Sequence, residues 1–167
     1  KESNLKEQLG IKTPIILYAG RLAEEKGIQH TIKTIKDINC TFLILGKKRN
    51  YFNELDKLVK DLKLENKVRF TGFINEAETY KYYQIADAIV FTNTVYESLS
   101  KLLLDAGANG VPCIVSSIGG NTEVIKDNKN GIVLKSLETE EITKSINLLL
   151  SNPNLKKELG RNAKEMI

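Results

Sequence analysis

Two groups of charged residues in this chain have the types and spacing for chemistry on an anion. The first is Gly20-Arg21 followed by Lys26-Gly27, two cations on one loop bracketed by glycines. Arginine grips a phosphate through two parallel hydrogen bonds, and lysine adds a compact charge. The second is the run Tyr96-Glu97-Ser98-Leu99-Ser100-Lys101, which leads to Asp105. An apolar strand at 88–91 precedes it, and 99–108 has helical spacing that ends on Asn109-Gly110, a helix stop signal. Glu97 and Ser98 are therefore expected where a strand hands over to a helix N-terminus. That end of a helix carries free N–H groups and about half a positive charge, which favours phosphate. Asp105 follows Glu97 by eight residues, which on a helix is about 80° past two full turns and roughly 12 Å of rise. The two acids would then flank an anion and hold hydroxyls on either side of a diphosphate.

Each group has a plainer alternative. For the loop cations it is pairing with Glu24 and Glu25 in solvent, for Glu97 stabilisation of the helix start, and for Asp105 a place as a surface acid. Gly119-Gly120 either lets a backbone approach a ligand or only makes a turn. Tyr80, Tyr82 and Tyr83 read as core and rim side chains, and His30 and Cys113 as structural.

The elements that position these residues follow from hydrophobic patterning. Apolar runs at 15–19, 41–45, 68–70, 88–91, 113–115 and 131–134 read as six strands. Helical stripes lie between and around them at 4–9, 28–38, 51–62, 76–86, 99–108, 122–125, 138–150 and 153–167. Strands alternating with helices specify a parallel sheet covered on both faces. The expected fold is an α/β, Rossmann-like, doubly wound sheet of order 3-2-1-4-5-6. In that order strands one and four are neighbours at the switch point, and ligands bind beyond their carboxyl ends. The loop after strand one holds Gly20, Arg21 and Lys26; the loop after strand four holds Glu97 and Ser98. Topology alone brings the two charged loops into one crevice.

The bulk numbers agree with a soluble globular protein. At 167 residues the chain is one domain, 1–167, with 41% hydrophobic and 28% charged residues and no internal repeat or linker. The net charge of +4 suits an anionic ligand or a bilayer surface. The lysines are spread rather than clustered with aromatics, which excludes a nucleic-acid interface. A single His30 gives a histidine metal site no partners. Cys40 and Cys113 each border an apolar strand and are expected as buried thiols of a cytosolic protein. No apolar run is long enough to span a bilayer, and no signal peptide precedes Lys1, whose place at the start suggests a piece of a longer protein. Strand one is not followed by G-x-G-x-x-G, and neither G-x-x-x-x-G-K-[ST] nor G-x-S-x-G occurs. Dinucleotide dehydrogenases, P-loop enzymes and nucleophile-elbow hydrolases are thereby disfavoured.

The stretches Leu17-Tyr18-Ala19-Gly20-Arg21-Leu22 through Lys26-Gly27, Glu97 through Asp105, and Gly110-Val111-Pro112 through Gly119-Gly120-Asn121-Thr122-Glu123-Val124-Ile125 together resemble a known family. They look like the C-terminal, donor-binding half of a group 1 (family 4) glycosyltransferase of GT-B architecture. The resemblance runs over essentially the whole chain. It implies a second, N-terminal acceptor domain across a cleft, and retaining transfer of a hexose from a nucleotide-diphosphate sugar to a glycan or lipid-linked acceptor. It implies no metal and no cofactor apart from that donor, and a place in polysaccharide biosynthesis. It also implies a cytosolic enzyme whose full-length form can touch the inner face of the membrane. By position, Arg21 and Lys26 resemble the pair that neutralises the diphosphate, and Glu97 the first acid of the E-x7-E motif, which contacts the transferred sugar. Asp105 stands at the second acid, which holds the ribose, where the family has Glu; Ser100 stands where it often has Gly. Gly20, Ser98 and Lys101 fall in the same donor-binding stretches, and the base would lie near Gly72, Phe73 and Ile74. The alternative is a Rossmann-like module that binds a nucleotide or anion without catalysis.

Overall fold

The computed structural model describes residues 4–166. Six strands form one parallel sheet in the order β3-β2-β1-β4-β5-β6. They are β1 (Ile15–Ala19), β2 (Thr41–Leu45), β3 (Val68–Gly72), β4 (Ala88–Phe91), β5 (Cys113–Ser116) and β6 (Gly131–Leu134). Strands β2, β4 and β5 are buried at every position, and β1 at all but Ala19. Continuous apolar runs rather than alternating ones are what a sheet covered on both faces requires.

Among the described residues eight α-helices flank the sheet: α1 (Leu5–Gln8), α2 (Ile28–Ile35), α3 (Phe52–Asp61), α4 (Glu76–Ile85), α5 (Lys101–Ala108), α6 (Asn121–Val124), α7 (Thr139–Ser151) and α8 (Pro153–Met166). Helix α2 packs against α3 and α7, α4 against α1 and α5, and α8 against both α5 and α7. Right-handed crossovers put the helices between β1 and β3 on one face and those between β3 and β6 on the other. Expected residue 167 of the last helix lies outside the described residues.

The amino end of the sheet is fastened by Asp87. Its Oδ2 accepts from Ile15 N at 2.8 Å and its Oδ1 from Lys156 Nζ at 2.6 Å, joining β1, the start of β4 and α8. Cys40 and Cys113 are free and buried, and burial pushes both thiols up to about 12. No helix among the described residues is long and apolar enough to cross a membrane.

Candidate functional site

The carboxyl ends of β1 and β4 carry the charged loops. After β1 the chain makes a 3₁₀ turn, Glu24–Lys26, closed by Gly27 at φ 71°. A side chain at Gly27 has no room, because an added Cβ would stand 1.7 Å from Thr92 O. The two loops are zipped together there. Thr92 Oγ1 donates to Gly27 O at 2.7 Å and Thr94 N to Glu25 O at 2.9 Å. Lys26 Nζ donates to both carboxylate oxygens of Glu97, at 2.7 and 2.8 Å, across 71 residues of sequence. The Lys26 side chain is only 16% exposed, and its ammonium lies 5.7 Å from the Phe91 ring centroid. Lys26 and Glu97 thus meet where the sheet topology places them.

Arg21 follows a different course. Its Nη2 donates to Glu25 Oε1 at 2.8 Å, four residues on, and the side chain is 59% exposed. Glu25 is pulled below the usual carboxylate range by a hydrogen bond from backbone N–H and by Arg21. Beneath this pair, buried Tyr18 donates its hydroxyl to Arg21 O at 2.8 Å. Burial, reinforced by Glu97, keeps that phenol protonated. Gly20 donates its N–H to Leu45 O at 2.9 Å, closing the floor between β1 and β2.

The helix after β4 begins later than its apolar spacing suggests. It starts at Lys101 with Ser100 as an extended N-cap, so Glu97 and Ser98 sit on the loop before it. Leu99, expected as the first residue of the helix, lies outside it and is 45% exposed. The two acids therefore do not share one helix. Asp105 is on α5, where its Oδ2 accepts from Lys101 Nζ at 2.7 Å; Lys101 also reaches Glu76 Oε1 at 3.1 Å. These two acids raise the Lys101 ammonium, the Asp105 hydrogen bond most.

Two adjoining hollows run along this edge. One, of about 420 Å³, includes Gly20, Arg21, Lys47, Arg49, Phe73 and Ile74 in its lining. The other, of about 500 Å³, includes Phe73, Ile74, Tyr83, Lys101 and Asp105. Phe73, Ile74 and Thr79 belong to both and form the ridge between them. Phe73 is 66% exposed, an apolar ring held out at the end of β3. Of the tyrosines on α4, Tyr83 is buried and Tyr80 is half exposed.

Comparison with known proteins agrees with this geometry. A family model described as "Glycosyl transferases group 1" matches residues 1–166. The chain belongs to the group 1 glycosyl transferases. An uncharacterized glycosyltransferase of Methanocaldococcus jannaschii is 33% identical over 97% of this chain, which spans 43% of that relative's length. The Anabaena protein HepE, solved in complex with UDP, superposes with a TM-score of 0.90 at 25% identity, covering 98% of this chain and 46% of its own. The C-terminal domain of a group 1 family protein from Francisella tularensis superposes with a TM-score of 0.84 at 22% identity, covering 99% and 90%. The fold is that of the C-terminal half of a GT-B glycosyltransferase.

A buried polar knot that the sequence did not disclose fixes the Glu97 loop of this glycosyl transferase. Ser116 Oγ donates to Asn93 O at 2.9 Å and Asn93 Oδ1 at 2.6 Å. Asn121 Nδ2 also donates to Asn93 Oδ1, at 2.7 Å, and Asn93 Nδ2 donates to Val95 O at 3.0 Å. Between Ser116 and Asn121 the Gly119-Gly120 pair presses on the loop itself. Gly120 N donates to Glu97 O at 2.8 Å, and an added Cβ would stand 1.4 Å from Ser98 O. The two glycines thus allow a close approach of backbone to the chain's own site loop. Gly120→Ala is expected to cost about 1–3 kcal/mol in denaturant unfolding and to displace Glu97 from Lys26. Gly120 takes φ −70°, a conformation open to any residue, so the cost is the contact with Ser98 O and not backbone strain. An alanine variant as stable as the unaltered chain would show that this contact does not constrain the loop.

Proposed function

We propose that this chain binds a nucleoside-diphosphate sugar and forms the donor side of a glycosyltransferase. In this reading the whole enzyme transfers a hexose, with retention of configuration and without a metal, to a glycan or lipid-linked acceptor. The observation that carries the proposal is the Lys26–Glu97 contact at the junction of β1 and β4, in a chain of the group 1 family. That the Anabaena protein HepE was solved in complex with UDP supports a nucleotide donor.

The chemistry follows from charge. Cleavage of a sugar–phosphate bond leaves negative charge on the diphosphate oxygens. Lys26, Arg21 and the first-turn N–H groups of α5 are the groups that would stabilise it, as fixed donors aimed at the leaving group. Once a diphosphate engages Lys26, the Glu97 carboxylate is released to accept hydrogen bonds from sugar hydroxyls. Asp105 is placed to take ribose hydroxyls beside Phe73 and Ile74, with its shorter side chain reaching them directly or through a water. Gly20, Ser98 and Lys101 complete the rim.

Calorimetry with uridine, guanosine and adenosine diphosphates, with and without chelator, tests this reading. At least one is expected to bind with an affinity that the chelator leaves unchanged. Binding should be lost in the Arg21→Ala, Lys26→Ala double variant. Binding abolished by the chelator, or retained by the double variant, would overturn the assignment.

A further inference from the structure

One buried aromatic pair lies beneath both site cations. Tyr18, near the end of β1, is 2% exposed. Its ring centroid stands 6.3 Å from that of Phe91, the last residue of β4. The Phe91 ring in turn lies 5.7 Å from the Lys26 ammonium. The Tyr18 hydroxyl is the one polar side-chain atom of the pair, and it donates to Arg21 O at 2.8 Å. That is the sole hydrogen bond made by the Arg21 backbone among the described residues. A glycine leaves room for it: a Cβ added at Gly20 would stand 2.9 Å from the Tyr18 hydroxyl. The core does not need this oxygen. Phenylalanine would fill the same space, and burying a hydroxyl is unfavourable unless it is paired. What the hydroxyl holds is the charged loop.

We propose that Tyr18 is a positioning residue for the diphosphate site and that it acts through Arg21. The inference rests on the donor-binding reading above. The Arg21 guanidinium is exposed and bound to Glu25. To reach a diphosphate it has to leave Glu25 while the backbone that carries it stays in place. Tyr18 supplies that fixed point. Burial, reinforced by Glu97, keeps the phenol protonated, so it remains a donor across the ordinary pH range. With the carbonyl held, only the side-chain torsions of Arg21 have to be fixed when the anion arrives. With the carbonyl free, the backbone around Arg21 has to be ordered as well, and that conformational cost is set against binding.

Calorimetry of the unaltered chain, Tyr18→Phe, Arg21→Ala and the double variant tests this. The probe is whichever of uridine, guanosine and adenosine diphosphate binds the unaltered chain most tightly. Tyr18→Phe is expected to weaken binding by roughly three- to tenfold, the effect of losing one hydrogen bond. In the Arg21→Ala background the same change should alter affinity by less than about twofold, because the carbonyl then positions no guanidinium. Denaturant unfolding supplies the contrast. Arg21→Ala keeps the backbone carbonyl, so Tyr18→Phe should lower the unfolding midpoint equally in both backgrounds. A tyrosine that served the fold alone would give binding losses that are likewise equal in both. That outcome, or a Tyr18→Phe chain that binds at least as tightly as the unaltered one, overturns the inference and leaves the donor reading standing. Failure of every diphosphate to bind the unaltered chain overturns the donor reading, and this inference with it.

Discussion

Lys26→Ala is expected to weaken nucleoside-diphosphate binding by roughly ten- to a hundredfold, and Glu97→Gln to strengthen it by about fivefold. The opposite signs come from one contact. The Lys26 ammonium is held by both oxygens of Glu97. A diphosphate must compete with that carboxylate for the same donor. Removing Lys26 deletes a charge-assisted hydrogen bond, typically worth about 1.5–3 kcal/mol, and leaves Glu97 facing the incoming anion. Removing the charge of Glu97 frees the ammonium and removes the like charge, at a gain of about 1 kcal/mol, the size of a partly exposed ion pair. Thermal unfolding of both variants should change little, since neither change opens the core. Titrations of the two variants with one nucleotide at one ionic strength decide the matter. If Glu97→Gln binds more weakly than the unaltered chain, the carboxylate does not compete with the diphosphate for Lys26.

The fold was legible because burial on both faces leaves an unusually plain signal. Ile15–Ala19, Thr41–Leu45, Ala88–Phe91 and Gly131–Leu134 appear in the sequence with the bounds they have in the structure. The order 3-2-1-4-5-6 follows from the Rossmann-like, doubly wound arrangement that the alternating pattern suggests. Boundaries slipped where the local chemistry was ambiguous. Residues 36–38 continue the apolar stripe of α2 but turn away from it, with Ile38 buried outside the helix. Leu99 fits a helical stripe, yet Ser100 takes the extended N-cap conformation one residue later.

Site residues divided along the same line. Topology predicted that Lys26 and Glu97 converge, and they touch. It also grouped Arg21 with them, but a local ion pair with Glu25 four residues on holds that side chain along the rim. The Asn93, Ser116 and Asn121 knot was hidden, because isolated polar residues at strand ends read as ordinary turn chemistry. The one available signal was Asn121 opening a helix directly after two glycines. Lys47 was passed over as the exit from β2, since its approach to the Phe73 ring depends on the neighbouring strand's register. Tyr18 read as one more strand residue, and nothing in its spacing announces the hydroxyl bond to Arg21 O.

By itself, this 167-residue chain is expected to unfold cooperatively and bind nucleotide, yet transfer no sugar above a buffer blank. One sheet, with helices on both faces and its central strands buried, supplies an independent core. Transfer makes further demands. The acceptor must be held in line with the sugar and the reacting bond shielded from water. Here the cations lie on an open edge: Arg21 is 59% exposed, and the Glu97 side chain 29%. Charges facing solvent act in high dielectric and lose most of their effect on a leaving group. The chain also spans only 43% of its Methanocaldococcus relative. We therefore expect the opposite wall of the cleft, with the acceptor groups, to come from an N-terminal domain of the parent protein. Release of nucleoside diphosphate from uridine and guanosine diphosphate sugars, measured with and without a mixture of glycan and lipid acceptors, reads this directly. Acceptor-dependent turnover by these residues alone would show that one domain suffices to position both substrates, and would overturn the two-walled account of the reaction.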